Sequence, residues 1–90
     1  MASIAVVGAG AAGLIAACRL QVLGAEPVLF EAATRVGGSI ETVRRDGWLA
    51  EAGPNTIMEP DRDMRALPAR AGLADPVVHP GDAVQRRYLV

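Results

Sequence analysis

Apolar residues run without a break from Ile4 to Val7, after which the chain turns to Gly8-Ala9-Gly10-Ala11-Ala12-Gly13 and an alanine-rich stretch. A short uninterrupted apolar run predicts a parallel strand covered on both faces. From about Ala11 to Leu23 the apolar positions recur at helical spacing, with Leu14, Ala17, Cys18 and Leu20 on the side expected to be buried. Gly24 supplies the stop. A second apolar run, Val28-Leu29-Phe30, begins after Pro27, whose missing N–H is tolerated at a strand's first position. Residues 3–31 therefore predict one complete βαβ unit with a right-handed crossover.

After Glu31 the periodicity changes. Thr34-Arg35-Val36-Gly37-Gly38 reads as a loop, and Ser39 to Arg45 and Trp48 to Ala52 flank Asp46-Gly47, a strong two-residue hairpin signal. Gly53-Pro54-Asn55 is a turn. Asp61 to Ala71 carries helical spacing at Met64, Leu67 and Ala71, with acids early and Arg70 late, as the helix dipole favours. Pro68 conflicts with that pattern, since it deletes an intrahelical bond and is expected to kink or shorten the helix. Beyond Gly72-Leu73 comes a loop rich in Asp, Pro and Gly, and Val84 to Val90 reads as a strand.

The glycine pattern carries chemistry because of where it stands. A GxGxxG sequence is weak by itself; here it follows a strand, opens a helix and is answered by Glu31, eighteen residues after its last glycine. A pyrophosphate has to approach unpaired N–H groups at a helix N-terminus, where the dipole also favours an anion. Gly8 would make the turn out of the strand, Gly10 would leave room for the phosphates, and Gly13 would let the helix pack closely on the sheet. Alanines at 11, 12, 16 and 17 extend that close packing. Glu31, at the tip of the second strand, is placed to accept both hydroxyls of an adenosine ribose and to repel a 2′-phosphate, which disfavours NADP.

Composition limits the remainder. Ninety residues make one domain at most, and 17 of the apolar residues are alanines that bury little area. Nine arginines and no lysine balance ten acids to a net charge of −1, which argues against bulk attraction to nucleic acid or anionic membrane. Cys18 has no partner for an internal disulfide and is expected to pack as a small hydrophobe rather than act as a nucleophile. His79 has no second His or Cys beside it, so no metal is expected. The N-terminal stretch has no basic residue before Arg19 and is cut by glycines, unlike a signal peptide or a bilayer span, so the chain reads as cytoplasmic.

The run Glu31-Ala32-Ala33-Thr34-Arg35-Val36-Gly37-Gly38, the hairpin after it and Glu51-Ala52-Gly53-Pro54-Asn55 together resemble the N-terminal segment of the flavin amine oxidase superfamily. Within it, the stretch Gly37 to Arg44, Asp46-Gly47, Glu51, Gly53 to Ile57 and Ala71-Gly72-Leu73-Ala74-Asp75 is most similar to the protoporphyrinogen oxidase family. The resemblance covers essentially the whole chain. It implies an α/β fold: a Rossmann-like βαβ FAD-binding unit, then a β-hairpin, a short helix and a terminal strand, forming the N-terminal part of a domain that the family completes with later segments. A second pair of glycines soon after the ribose acid suits backbone lying against an extended cofactor, which favours flavin over nicotinamide.

The cofactor-binding residues that the resemblance implies are Gly8, Ala9, Gly10, Ala11, Ala12, Gly13, Glu31, Ala32, Arg35, Gly37, Gly38, Ser39, Gly53, Pro54, Asn55 and Thr56. In that scheme Gly8, Gly10 and Gly13 hold the pyrophosphate, Glu31 the ribose, Arg35 adds charge near the phosphates, and Gly37, Gly38 and Ser39 meet the middle of FAD. Gly53 to Thr56 lie near the flavin ring. Arg87 falls where the family places an arginine for a substrate propionate, with Arg86 competing for the role and a solvated arginine pair as the alternative. The reaction implied is hydride removal from a porphyrinogen carbon to FAD, with no catalytic side chain and no metal in this segment. The porphyrinogen would be met only by a chain that carries the rest of the enzyme; ninety residues alone are not expected to catalyse it. Membrane association stays open. A related amine oxidase, a polyene desaturase or a non-catalytic product are the alternatives.

Overall fold

In the computed structural model, which describes residues 2–57, 62–73, 78–82 and 88–89, Ser3–Val7 forms strand β1. It pairs in parallel with β2, Glu26–Phe30, in the register Ser3 with Glu26 through Val7 with Phe30. Helix α1, Ala11–Val22, joins them and lies against both strands. This is the strand, helix, strand order that the apolar runs predict.

The strands alternate in exposure. Ile4, Val6, Pro27 and Leu29 are half-buried, while Ala5, Val7, Val28 and Phe30 are open, Val7 at 86% and Phe30 at 56% exposure. One helix can cover only one face of a two-stranded sheet, so the expectation of cover on both faces is corrected to one. Each half-buried side chain contributes less than the roughly 1.5–3 kcal/mol of a fully enclosed one. For the same reason Cys18 is exposed rather than packed: the sheet-facing side of α1 is taken by Gly13, Leu14, Ala17 and Leu20.

The helix ends at Val22, one residue before the expected end, in a motif that the chain itself explains. Gly24, at φ 83°, donates its N–H to Gln21 O at 3.0 Å, and Ala25 donates to Leu20 O at 2.9 Å. This double return satisfies carbonyls that the last turn leaves open. The chain then enters β2 at Glu26, so Pro27 stands second rather than first in the strand. Among the described residues β2 pairs on one side only, which leaves its missing donor no ladder bond to break.

Strands β3, Thr42–Arg45, and β4, Trp48–Glu51, form the antiparallel hairpin. Asp46 and Gly47 have φ of 51° and 80°, the two positive values of the tight turn that matches strand twist. The first arm is shorter than the Ser39 start expected, because residues 37–40 close a turn of their own through Ile40 N–H to Gly37 O at 3.0 Å. Glu41 keeps one link to the hairpin, accepting from Ala52 N–H at 2.8 Å.

The chain forms two compact units, Met1–Thr56 and Ile57–Val90. In the second, α2 spans Arg62–Arg70 and passes through Pro68, ending two residues later. The proline therefore stands in the last turn, and the helix ends at Arg70 beside the expected Ala71. Gly72, at φ 76°, donates to Ala69 O at 3.1 Å. Of the strand expected over 84–90, residues 84–87 and 90 lie outside the described residues, and Tyr88 and Leu89 are exposed without strand pairing. No helix among the described residues is long and apolar enough to cross a membrane.

Gly13 sits where α1 crosses the exit of β1, and a Cβ built there overlaps the carbonyl oxygen of Gly8. Alanine would gain about 1 kcal/mol of helix propensity, but overpacking against backbone costs about 1–3 kcal/mol or more. The collision wins. Gly13→Ala is expected to lower the urea midpoint followed by circular dichroism; an unchanged or raised midpoint would show that the turn has slack.

Candidate functional site

The site is built outward from Ala9, the one fully buried residue among those described. Gly8 leaves β1 at φ 96° and donates its N–H to Phe30 O at 2.7 Å, which ties the start of the turn to the end of β2. Ala9 N–H then donates to Glu31 Oε1 at 2.9 Å, and Ala9 O accepts from Gly37 N–H at 2.7 Å. One enclosed alanine thus joins the glycine turn, the ribose acid and the second glycine pair. Apolar contact is thin here, so these bonds set the geometry.

Glu31 is fixed from both sides. Its other carboxylate oxygen accepts from Ala33 N–H at 2.8 Å. The N–H groups of Ala33 and Ala9 hold its carboxyl below the ordinary 4.5, partial desolvation opposes them, and Ala32 N–H and the Arg35 charge add to the lowering. The group is therefore ionised at neutral pH. A carboxylate offers about four acceptor directions; the bonds from Ala9 and Ala33 do not exhaust them, which leaves capacity toward a ligand hydroxyl.

Helix α1 begins at Ala11 with Gly10 as its N-cap, and neither a capping side chain nor an acid in the first turn occupies its N-terminus. A Cβ at Gly8 or Gly10 would meet no atom within 4 Å. There is room at both glycines, and Ala11, Ala12 and Gly13 open the helix, so their N–H groups have no carbonyl within the helix to donate to. Space, unpaired donors and the helix dipole suit a phosphate. These residues fit the pyrophosphate and ribose of a dinucleotide.

The second glycine pair closes on the first. Gly37 and Gly38 have φ of 114° and 60°, values that L side chains rarely adopt, and a Cβ on Gly38 would stand 3.1 Å from Gly10 Cα. Ser39 follows, and its carbonyl oxygen lies so close to Gly53 that a Cβ there would overlap it. Gly53 is thus drawn to this turn, with Pro54, Asn55 and Thr56 exposed after it. Ala32 is exposed beside Glu31.

Arg35 is beside the same turn. Its guanidinium donates to the carbonyls of Val36 at 3.2 Å, Ile40 at 3.3 Å and Gly38 at 2.8 Å, and to Glu41 Oε2 at 3.1 Å. Sequence reasoning did not single out Glu41; opposite charges six residues apart on either side of Gly37-Gly38 were the available signal. It also passed over Ala9 as an anchor, because its role is carried by backbone atoms. Arg87 and its competitor Arg86 lie outside the described residues.

Comparison with known proteins places the fold in a family. Residues 6–71 match the family described as NAD(P)-binding Rossmann-like domain. Among curated relatives, a 4,4'-diapophytoene desaturase (4,4'-diaponeurosporene-forming) of Staphylococcus aureus is 45% identical over 58 residues, 64% of this chain and 12% of its own length. The mitochondrial protoporphyrinogen oxidase of Nicotiana tabacum is 38% identical over 72 residues, 80% of this chain and 14% of that enzyme. Protoporphyrinogen oxidase 2 of Arabidopsis thaliana, chloroplastic/mitochondrial, is 37% identical over 87 residues, 97% of this chain and 17% of that enzyme. The chain therefore spans between 12% and 17% of the length of these relatives. Family and relatives together support FAD as the dinucleotide, as the sequence implied.

The bonds to Glu31 give stability a defined pH dependence. A carboxyl whose folded value lies below its unfolded one contributes fully above the unfolded value, and that contribution is lost as pH falls through the folded value. The difference in urea midpoint between the wild-type chain and Glu31→Gln is expected to be present at neutral pH and to close progressively below 4.5. A difference that persists undiminished in acid would show that the bonds from Ala9 and Ala33 do not depend on the charge.

Proposed function

The chain belongs to the NAD(P)-binding Rossmann-like domain family, and on that footing we propose that it is the FAD-binding segment of a flavin-dependent oxidoreductase of the protoporphyrinogen oxidase type. The observation that carries the cofactor reading is the joint at Ala9, where an ionised Glu31 is held against a glycine turn whose outer side is open. Gly8, Gly10 and Gly13 would admit the pyrophosphate to the N-terminus of α1, and the remaining acceptor capacity of the Glu31 carboxylate would take the ribose hydroxyls. Gly37, Gly38 and Ser39 would line the cofactor's middle, and the turn from Gly53 to Thr56 its far end. FAD, when bound, supplies the acceptor for a hydride taken from substrate carbon; the chain's own part is to bind, orient and repel the wrong nucleotide.

The choice of substrate rests on coverage. Likeness to the Arabidopsis protoporphyrinogen oxidase runs over 87 residues, against 58 for the desaturase. The Gly53-Pro54-Asn55 turn, in which the sequence resembles that oxidase family, adds to the reading. A porphyrinogen is therefore proposed as the substrate of a protein carrying this segment together with the rest of such an enzyme. The higher identity to the desaturase, 45% against 37%, supports a second reading in which the substrate is a polyene. In a protein completed with the remaining segments, anaerobic bleaching of bound FAD by protoporphyrinogen IX and not by a polyene decides for the first, and the converse for the second.

The cofactor reading is testable on the ninety-residue chain. Titration followed by quenching of FAD fluorescence is expected to show saturable binding, competed by AMP but not by 2′-phospho-AMP. Glu31→Ala removes a charged acceptor from the ribose, so the dissociation constant should rise roughly tenfold to a hundredfold. Equal competition by the two nucleotides, or an unchanged constant in the variant, would overturn the assignment of Glu31.

A further inference from the structure

We infer that Arg35 is a positioning residue whose guanidinium, neutralised by Glu41, holds residues 36–41 in the one shape that closes over Gly10. The inference rests on the FAD reading for its functional meaning, though its structural basis is separate.

Four acceptors converge on one side chain. Nη1 donates to Val36 O and Ile40 O, and Nη2 donates to Gly38 O and Glu41 Oε2. These groups belong to a segment whose ends touch the rest of the site: Gly37 N–H donates to Ala9 O, and Ser39 O meets Gly53. A chain at φ 114° and then 60° has no helix or sheet ladder to keep it there. Its carbonyls turn inward around the guanidinium instead, which satisfies three of them at once.

The Glu41 contact is not the source of order by itself. The two side chains are 44% and 42% exposed, and ion pairs so open to solvent contribute little. What the pairing does is offset the guanidinium's charge beside Gly37 and Gly38. A bare guanidinium there would attract any anion; paired and bonded to three carbonyls, Arg35 supports the wall of the site. A Cβ on Gly37 would come 2.8 Å from Ile40 O and 3.3 Å from Arg35 Nη1, so the turn gathered around the guanidinium leaves little room for a side chain there. Lysine is no substitute, because a single ammonium cannot span four acceptors from a planar fork.

AMP and FAD separate this role from its rivals. AMP reaches the glycine turn and Glu31, whereas FAD in the proposed pose also lies along residues 37–39. In the full ninety-residue chain, Arg35→Met is expected to weaken FAD at least tenfold and AMP no more than twofold. Amide hydrogen exchange at Gly37 should accelerate at least tenfold, and Arg35→Lys should restore neither. Glu41→Gln, which keeps an acceptor for Nη2, should retain slow exchange at Gly37 and should keep the inference testable if Arg35→Met does not fold. Recovery of FAD affinity by lysine with Gly37 still exchanging fast would instead mark direct contact between the charge and the cofactor, and would overturn the proposal. So would slow Gly37 exchange in Arg35→Met, or slow exchange lost in Glu41→Gln. If the wild-type chain bound neither nucleotide while Arg35→Met still released Gly37, the FAD reading would fail and the positioning role would stand.

Discussion

The hydrogen bonds on either side of Ala9 are the constraint from which the rest of the structure follows. Apolar packing alone would leave the end of β1, the start of α1 and the tip of β2 loosely related, since one helix covers one face of two short strands. Ala9 N–H to Glu31 and Ala9 O to Gly37 N–H fix two separated segments to one buried residue of the glycine turn. The acceptor on one side is ionised, and a hydrogen bond to a charged group contributes more than a neutral one. The charge that locks the turn is also the charge a ribose would meet.

That economy accounts for the distribution of glycine. Gly13 is needed because α1 passes over the Gly8 carbonyl, and Gly53 because it passes the Ser39 carbonyl; a side chain at either would overlap backbone. Gly10 is different, since a Cβ added there would meet no atom within 4 Å, which leaves the space that the proposed phosphate would take.

The fold was legible in the sequence wherever periodicity was strong. The run Ile4 to Val7, the spacing across Leu14, Ala17 and Leu20, and the Asp46-Gly47 turn each report a local backbone preference, and each element formed within a few residues of its expected bounds. Coverage of the sheet and the burial of Cys18 were not legible, because both depend on how many elements surround a strand rather than on the strand itself. In the site, Gly8, Gly10, Gly13 and Glu31 were readable from spacing. The anchoring role of Ala9 and the part played by Glu41 were not: the first is carried by backbone atoms that have no side-chain signature, and the second matters only after Gly37 and Gly38 fold the chain back so that positions 35 and 41 meet.

The most direct measurement is a map of backbone amide chemical shifts for the isotopically labelled chain as FAD is added. A dinucleotide seated at the joint predicts the largest changes at residues 10–13, with accompanying changes at Ala9, Ala33 and Gly37 and little at the hairpin tip around Asp46 and Gly47. Changes centred on the hairpin or on α2, with the amides of residues 8–13 unmoved, would contradict the account at its root.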